Sequence, residues 1–129
     1  MAVRIVRLGS ARAPGEGTRF GTVRRPPRGV SKDRFAAEDW YDVWLPVLAP
    51  SAELMAEGRA ATTDAEWSRF VRRYEKEMAA SDPAGVVDAL ARLSHTADFS
   101  VGCYCEDESH CHRSVLRRLL DDRGADVAG

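Results

Sequence analysis

Apolar and polar residues alternate with a period of two near the start of the chain. Residues 3–8 (VRIVRL) alternate aliphatic side chains with arginines, and residues 18–24 (TRFGTVR) repeat the pattern over a shorter stretch. Such alternation predicts half-buried or edge strands. Residues 9–17 are rich in glycine, and residues 24–32 (RRPPRGVSK) contain two adjacent prolines, so both are predicted loops. The chain therefore opens with two strands and two flexible connections.

The middle of the chain changes to a helical period. Thr63 and Glu66 form a capping box, and the apolar residues after them recur at the spacing of one helix face. The members of this stripe, which we interpret as core, are Trp67, Phe70, Val71, Tyr74 and Met78. Asp82 and Pro83 predict the cap and first residue of a further helix, which ends near His95.

Two shorter helices are predicted between the loops and this region. Ser31 is a candidate N-cap, and Ser51 is a second one for a helix over residues 52–58. The residues expected on one face of the helix after Ser31 are Phe35, Trp40, Val43 and Trp44. Pro46 and Pro50 disrupt that helix and separate it from the next one.

The last third of the chain predicts a strand and then a helix. Residues 98–105 (DFSVGCYC) show strand periodicity, and residues 112–124 read as a helix that Gly124 ends. The side chains that share one strand face are Phe99, Val101, Cys103 and Cys105. Asp107 or Ser109 is the expected N-cap of the helix. The closing ADV segment is either a short edge strand or a frayed tail.

This order of elements predicts an α/β fold. We expect a single compact domain over residues 1–129, in which helices cover a small, mostly parallel sheet as in Rossmann-like sandwiches. A chain of 129 residues with 44% apolar residues is long enough for one core. No segment approaches the roughly 18 apolar residues of a membrane span, and no secretory signal is evident. We therefore expect a cytoplasmic protein without a membrane partner.

Charge is unevenly distributed along the chain, although the net charge is only −1. The first 34 residues are rich in arginine and contain only Glu16 and Asp33 as acidic residues. A positive segment of this kind suits phosphate, nucleotide or nucleic acid as a partner. Few aromatic residues remain outside the predicted core to stack on bases, so a small anionic ligand is the preferred partner and nucleic acid the less favoured one.

Candidate chemistry concentrates where the last strand meets the last helix, in the sequence VGCYCEDESHCHRSVL. This stretch holds all three cysteines, an odd number that favours thiols or metal ligands over a disulfide framework. We interpret Cys103 as core. Cys105, Glu106, Cys111 and His112 are the candidate catalytic residues. Ligands of open α/β sheets bind beyond the carboxyl ends of the strands, which is where this cluster is predicted to lie.

Three functional interpretations of the cluster remain open. The free N–H groups of the last helix and Arg113 can clamp an anion together with the early arginines. A cysteine lowered in pKa by the helix terminus can act as a nucleophile, although the spacing from Cys105 to Arg113 does not fit a phosphatase loop. Cys105, Cys111 and one histidine, His110 or His112, can instead bind a metal or act in thiol redox chemistry. Adjacent helical residues point about 100° apart, however, which argues against Cys111 and His112 sharing an ion.

Several blocks of the sequence, in order, resemble a known family. The blocks are RFGTVRRPPRGVSK, DVWLPVLAPSAEL, WSRFVRRYEKEM and the final strand and helix with its CHR turn. They are similar to the YeaO-like members of the domain-of-unknown-function 488 family, whose first block looks like RVLVDRLWPRGVSK. The resemblance implies a compact α/β fold and supplies no reaction, cofactor or oligomeric state.

The resemblance also implies which residues form the site. The residues of this chain that match the family's motifs are Arg19, Arg24, Arg28, Gly29, Trp44, Pro50, Ser51, Trp67, Tyr74 and the CHR turn at Cys111, His112 and Arg113. From these, the expected ligand-binding residues are Arg19, Arg24, Arg28, Arg113 and Ser51. The chain departs from the family where Val23 replaces an aspartate and where Arg25 and Pro26 replace Leu-Trp, so the predicted pocket is more positive than that of its relatives.

Overall fold

The sheet has five strands, all parallel, in the order β3-β2-β4-β1-β5 in a computed structural model that describes residues 1–129. The strands are β1 (Val3–Arg7), β2 (Thr18–Gly21), β3 (Val43–Trp44), β4 (Phe99–Cys103) and β5 (Val127–Ala128). β4 lies between β1 and β2, pairing Val101 with Ile5 on one side and with Phe20 on the other. The predicted α/β fold class is confirmed, and the closing segment is an edge strand on β1.

Three of the four α-helices lie between β3 and β4 and the fourth lies between β4 and β5, and a short 3₁₀ turn follows each of β2, β3 and β4. The helices are α1 (Ala52–Ala60), α2 (Asp64–Met78), α3 (Ser81–Leu93) and α4 (His112–Asp122). The 3₁₀ turns are Lys32–Arg34, Pro46–Leu48 and Glu108–His110. The hydroxyl of Thr63 accepts a hydrogen bond from the Glu66 amide at 3.1 Å, so the capping box begins α2 as predicted. None of the helices is long and apolar enough to span a membrane.

One apolar core joins the helices to the sheet. Phe70, Tyr74 and Met78 from the α2 stripe are buried in it, while Trp67 and Val71 pack against its margin. The sheet contributes Val3, Phe99 and Val101, and α4 contributes Val115, Leu116 and Leu120. A second, smaller cluster lies at the carboxyl ends of the strands and consists of Leu8, Val23, Tyr41, Cys103 and Cys111. The packing thus leaves the cysteines at the edge of the sheet where ligands of such folds bind.

The prediction of a helix after Ser31 is wrong. Only one 3₁₀ turn forms there, and the chain then extends into β3, where Val43 and Trp44 are exposed. Asp39 adopts a left-handed conformation with φ of 61°, which no helix accommodates. The carboxylates of Asp39 and Asp42 also accept hydrogen bonds from Arg12, a residue far away along the chain. These long-range contacts override the apolar spacing that suggested a helix.

The predicted starts of two helices also need correction. The N-cap of α3 is Ala80, with Asp82 in the first turn, and its cap makes no side-chain hydrogen bond. Asp107 caps the preceding 3₁₀ turn and not α4, because its carboxylate accepts from the Ser109 amide at 3.0 Å. The N-cap of α4 is Cys111, whose backbone is extended (φ −131°, ψ 148°). This last difference changes where the Cys111 side chain lies.

Candidate functional site

Two adjoining cavities open at the carboxyl edge of the sheet, where β1, β2 and β4 end together. The larger, which we call the outer cavity, has a volume of about 1150 Å³. Its lining consists of Arg7, Leu8, Gly9, Ser10, Arg25, Pro26, Pro27, Arg28, Trp40, Arg59 and Tyr104. The inner cavity of about 440 Å³ is lined by Val23, Arg24, Arg25, Ala52, Met55, Arg59, Cys103, Tyr104, Cys105 and His112. Arg25, Arg59 and Tyr104 line both, so the cavities form one site.

The outer cavity is strongly positive. Its four arginines, Arg7, Arg25, Arg28 and Arg59, are all exposed, and no acidic residue lines the cavity. Only Arg7 has a carboxylate near it, that of Glu106 at 3.5 Å. Positive charges that are not neutralised by protein carboxylates raise the local concentration of anions. The outer cavity is therefore suited to a negatively charged ligand.

The loop after β2 is held in place by hydrogen bonds between side chains and backbone carbonyls. Arg24 donates to the carbonyls of Ala49 and Pro50, both at 3.1 Å. The Tyr104 hydroxyl donates to the Arg25 carbonyl at 2.8 Å, and the Trp44 indole donates to the Val23 carbonyl at 2.7 Å. Such bonds reduce the conformational freedom of the loop, so the arginines that follow are presented on a fixed backbone.

Cys103, Cys111 and His112 bring their ligand atoms together beside the inner cavity, which Cys103 and His112 line. The three side chains are buried, and their sulfur and nitrogen atoms all lie within 4.8 Å of one another. The sulfur atoms of Cys103 and Cys111 lie at disulfide-bonding distance, which differs from the expectation of thiols or metal ligands, and the Cα atoms are 7.7 Å apart. The metal set predicted from the sequence contained Cys105, but the residue in this cluster is Cys103. The interpretation of Cys103 as core alone is therefore incomplete.

Cys111 and His112 do not point apart as predicted. Both residues were expected in the helix, whereas Cys111 has an extended backbone and precedes the first turn. Its sulfur atom consequently lies 3.9 Å from Nδ1 of His112.

His112 is held as a neutral imidazole with a defined tautomer. Its Nε2 lies 2.7 Å from the Thr22 carbonyl, which can only accept, so Nε2 carries the proton and Nδ1 presents a lone pair toward Cys111. Burial and, to a smaller extent, the charge of Arg113 lower the pKa of His112 to about 4, against the opposing effect of the Thr22 hydrogen bond. At neutral pH the imidazole is therefore an acceptor or a ligand.

Cys105 and Glu106 lie outside this cluster on the exposed loop after β4. Cys105 is a free thiol at the surface. Partial burial of its sulfur raises the pKa of the thiol, although Arg113 and Arg7 act in the opposite direction. This shift is the reverse of the one that activates a nucleophilic cysteine. The Glu106 side chain is exposed and lies against Arg7.

Arg113 holds the loop after β4 through hydrogen bonds to its backbone. Its Nη2 donates to the Cys105 carbonyl at 2.8 Å and, more weakly, to the Glu106 carbonyl at 3.4 Å. The residue is only 4% exposed, its Nε has no hydrogen-bond partner, and no carboxylate lies within salt-bridge distance. It lines neither cavity. Arg113 thus adds buried positive charge close to the cysteines without contacting the cavity space.

Arg19 is placed away from both cavities. Its guanidinium is fully buried and makes two hydrogen bonds to the Glu16 carboxylate, at 2.8 and 3.0 Å. Its remaining nitrogen donates to the carbonyls of Ser10 and Asp39. All of these partners belong to the protein, so Arg19 fixes the loops beside β2.

Ser51 likewise has a local structural role. Its hydroxyl donates to the Glu77 carboxylate at 2.6 Å and accepts weakly from the Leu54 amide at 3.3 Å, which caps α1 as predicted. The cap orients the helix that carries Arg59. Of the five expected ligand-binding residues, Arg24 and Arg28 therefore line the cavities, whereas Arg19, Arg113 and Ser51 support the surrounding structure.

Comparison with known proteins identifies the family. The matching family model is DUF488-N3a, described as the active DUF488-N3 subclade, and it covers residues 3–124. The chain belongs to the DUF488 family. No curated protein and no solved structure matches it significantly. The family resemblance inferred from the arginine block and the CHR turn is therefore confirmed, and in this DUF488 protein both segments reach the carboxyl edge of the sheet.

The sequence did not indicate Arg7, Arg59 and Cys103 as site residues. Arg7 ends β1 and Cys103 ends β4, paired in register, so the rule that ligands bind beyond strand ends could have indicated both. Arg25 was expected in the site as part of the RRPPRG block, although it was not among the individual ligand-binding residues. Arg59 carried no signal, because its place in the site depends on how α1 crosses the sheet edge.

Proposed function

We propose that this DUF488 protein binds a small phosphate-bearing or carboxylate ligand in the paired cavities at the carboxyl edge of the sheet. The observation that carries the proposal is the outer cavity, in which four exposed arginines occur without a lining carboxylate. Guanidinium groups bind phosphate and carboxylate in a planar, often bidentate geometry. The ligand's charged group lies among these arginines, and its remainder extends toward the inner cavity.

The inner cavity can hold the part of the ligand that extends beyond its charged group. Arg25 and Arg59 line both cavities, so one ligand can contact them while it approaches Cys103 and His112. The volume of the outer cavity, about 1150 Å³, lies slightly above the usual range of about 300–1000 Å³ for small-molecule sites. A mononucleotide or a similarly sized phosphorylated compound fits these dimensions. The cytoplasmic location expected from the sequence stays a prediction.

The experiment is a thermal-shift and calorimetric titration with inorganic phosphate, nucleotides, dicarboxylates and a short oligonucleotide. We expect stabilisation by at least one small anion, decreasing with salt because the arginines are exposed. Arg25→Ala and Arg59→Ala each remove a charge-assisted contact and should weaken binding about tenfold, or ~1.4 kcal/mol. Arg72→Ala is the matched control, since this exposed arginine on α2 lines neither cavity.

Two results would contradict the proposal. The first is the absence of stabilisation by any small anion, or an equal loss of affinity in the Arg72→Ala control. The second is binding of the oligonucleotide alone with a steep salt dependence, which would replace the small ligand by nucleic acid as the partner.

A further inference from the structure

We propose that Cys103, Cys111 and His112, with both cysteines reduced, form a zinc site with one open coordination position that does not use the arginines of the outer cavity. Two thiolates and one imidazole are the ligand types that zinc prefers, and three protein ligands with an open fourth position are typical of reactive zinc centres. Their ligand atoms lie within 4.8 Å of one another. Cys105, the exposed cysteine, is not part of the site.

The spacing of the ligand atoms agrees with tetrahedral coordination. Zinc–sulfur bonds of about 2.3 Å and zinc–nitrogen bonds of about 2.0 Å at a tetrahedral angle separate the sulfur and nitrogen by roughly 3.6 Å. The distance from Cys111 Sγ to His112 Nδ1 is 3.9 Å. The backbone therefore needs little adjustment for this pair to share an ion.

The two cysteines are also spaced for an ion between them. Their Cα atoms are 7.7 Å apart, which exceeds the range of about 4.4–6.8 Å for disulfide bonds. Two sulfur ligands of one tetrahedral zinc ion are separated by roughly 3.8 Å. Once a reductant such as a small thiol has converted the pair to two thiols, rotation of the side chains can therefore admit the ion without drawing the backbones closer.

The imidazole is already oriented as a ligand. Metal-binding histidines usually donate their second ring N–H to a carboxylate or backbone carbonyl, which fixes the tautomer and the ring plane. Here Nε2 of His112 donates to the Thr22 carbonyl at 2.7 Å, and Nδ1 is free to bind. Tyr74 packs edge-on against the ring, with centroids 5.6 Å apart. These contacts set the direction of the Nδ1 lone pair before any ion arrives.

The positive charge of the nearby arginines does not oppose zinc binding at this site. A zinc ion with two thiolates is neutral, so the complex adds no positive charge beside Arg113 or the outer cavity. Both the N-terminus of α4 and Arg113 stabilise thiolates. The shell of Leu8, Val23 and Tyr41 around the sulfurs is apolar and favours a neutral complex over separate charges. Because Cys103 and His112 line the inner cavity, the fourth position faces water or a small ligand there.

The test is a titration of the fully reduced, metal-free protein with Co²⁺ under anaerobic conditions and without added anions. We expect thiolate-to-cobalt charge-transfer absorption that saturates at one equivalent and is displaced by Zn²⁺. Cys105→Ser is the matched control and should leave the spectrum unchanged. Cys103→Ser and Cys111→Ser should each lower the charge-transfer intensity to about half, because that intensity follows the number of thiolates, and His112→Asn should weaken affinity while both thiolates remain.

Either of two outcomes overturns the inference. One is wild-type protein that shows no charge-transfer band after complete reduction, which assigns the cysteine pair to redox chemistry or to packing. The other is a band lost in Cys105→Ser but kept in Cys103→Ser, which places the metal on the exposed loop. Arg25→Ala and Arg59→Ala should bind Co²⁺ normally, so the result is separable from the outcome for the proposed anion binding.

Discussion

The buried ion pair between Glu16 and Arg19 gives the sharpest test of how this fold is held together. Both side chains are almost completely excluded from solvent, with 2% of Glu16 and none of Arg19 exposed. The Glu16 carboxylate also accepts from the Ser100 hydroxyl at 2.6 Å and from the Ala13 amide at 3.1 Å. Glu16→Gln keeps the size of the side chain but leaves the buried guanidinium without its counter-charge.

The expected loss can be worked from the structure. Burial alone would raise the pKa of Glu16, but the hydrogen bonds from Arg19, Ser100 and Ala13 outweigh it and lower the pKa from 4.5 to about 2. A difference of this size corresponds to about 3 kcal/mol of stability at neutral pH. Breaking a buried pair by removing one partner typically costs ~3–5 kcal/mol, in agreement. We therefore expect Glu16→Gln to lose at least ~3 kcal/mol in urea unfolding.

The same pair predicts a pH dependence with a definite sign. Because the pKa of Glu16 is lower in the folded protein than in the unfolded chain, its contribution is complete above pH 4.5 and is lost as the pH falls toward 2. The Glu16→Gln variant has no carboxylate at this position to protonate, so its free energy of unfolding should not show this part of the decrease at low pH. The control is Glu57→Gln, which breaks an exposed ion pair with Arg73 and should cost less than ~1 kcal/mol. Equal stabilities for the two variants, or an unchanged acid profile in Glu16→Gln, would refute the reasoning.

Three smaller predictions concern other contacts. Tyr74→Phe leaves the buried Leu48 carbonyl without its donor at 2.6 Å and should cost ~1–3 kcal/mol in urea unfolding; an unchanged midpoint would contradict this. Thr63→Ala removes the cap of α2 and should cost about 1 kcal/mol, whereas Thr63→Ser should be nearly neutral. Only the thiol of Cys105 should react with maleimide in the native protein, since the other two cysteines are buried. The reaction should become faster with rising pH, because the raised pKa of Cys105 keeps the thiol protonated at neutral pH. Rapid labelling of two or more thiols would contradict the burial of the other cysteines.

Local sequence was sufficient for the elements whose signals do not depend on distant contacts. The α2 helix was predictable because its cap and its apolar stripe both lie within one short segment. β1 and β4 were predictable because their alternation places apolar side chains on the core. The family followed from the order of the arginine block, the aromatic helix and the CHR turn, which is a property of sequence alone.

Other features were decided by contacts between segments far apart in the chain. The helix expected after Ser31 failed because Arg12 binds Asp39 and Asp42, contacts that no local window contains. Arg19 looked like a ligand-binding residue by its type, but its burial against Glu16 is a tertiary event.

For the site, the sequence alone determined the inventory: arginines near the start, thiols and an imidazole near the end. Tertiary structure decided which of them meet, because parallel strands carry residues distant in sequence to one edge of the sheet. It joined Cys103, at the end of β4, to Cys111 and His112, which begin α4, and left Cys105 as an exposed thiol outside that cluster. The physical reason is that the sequence specifies the type of each side chain, whereas backbone geometry and packing set the direction in which it points and the residues that it contacts.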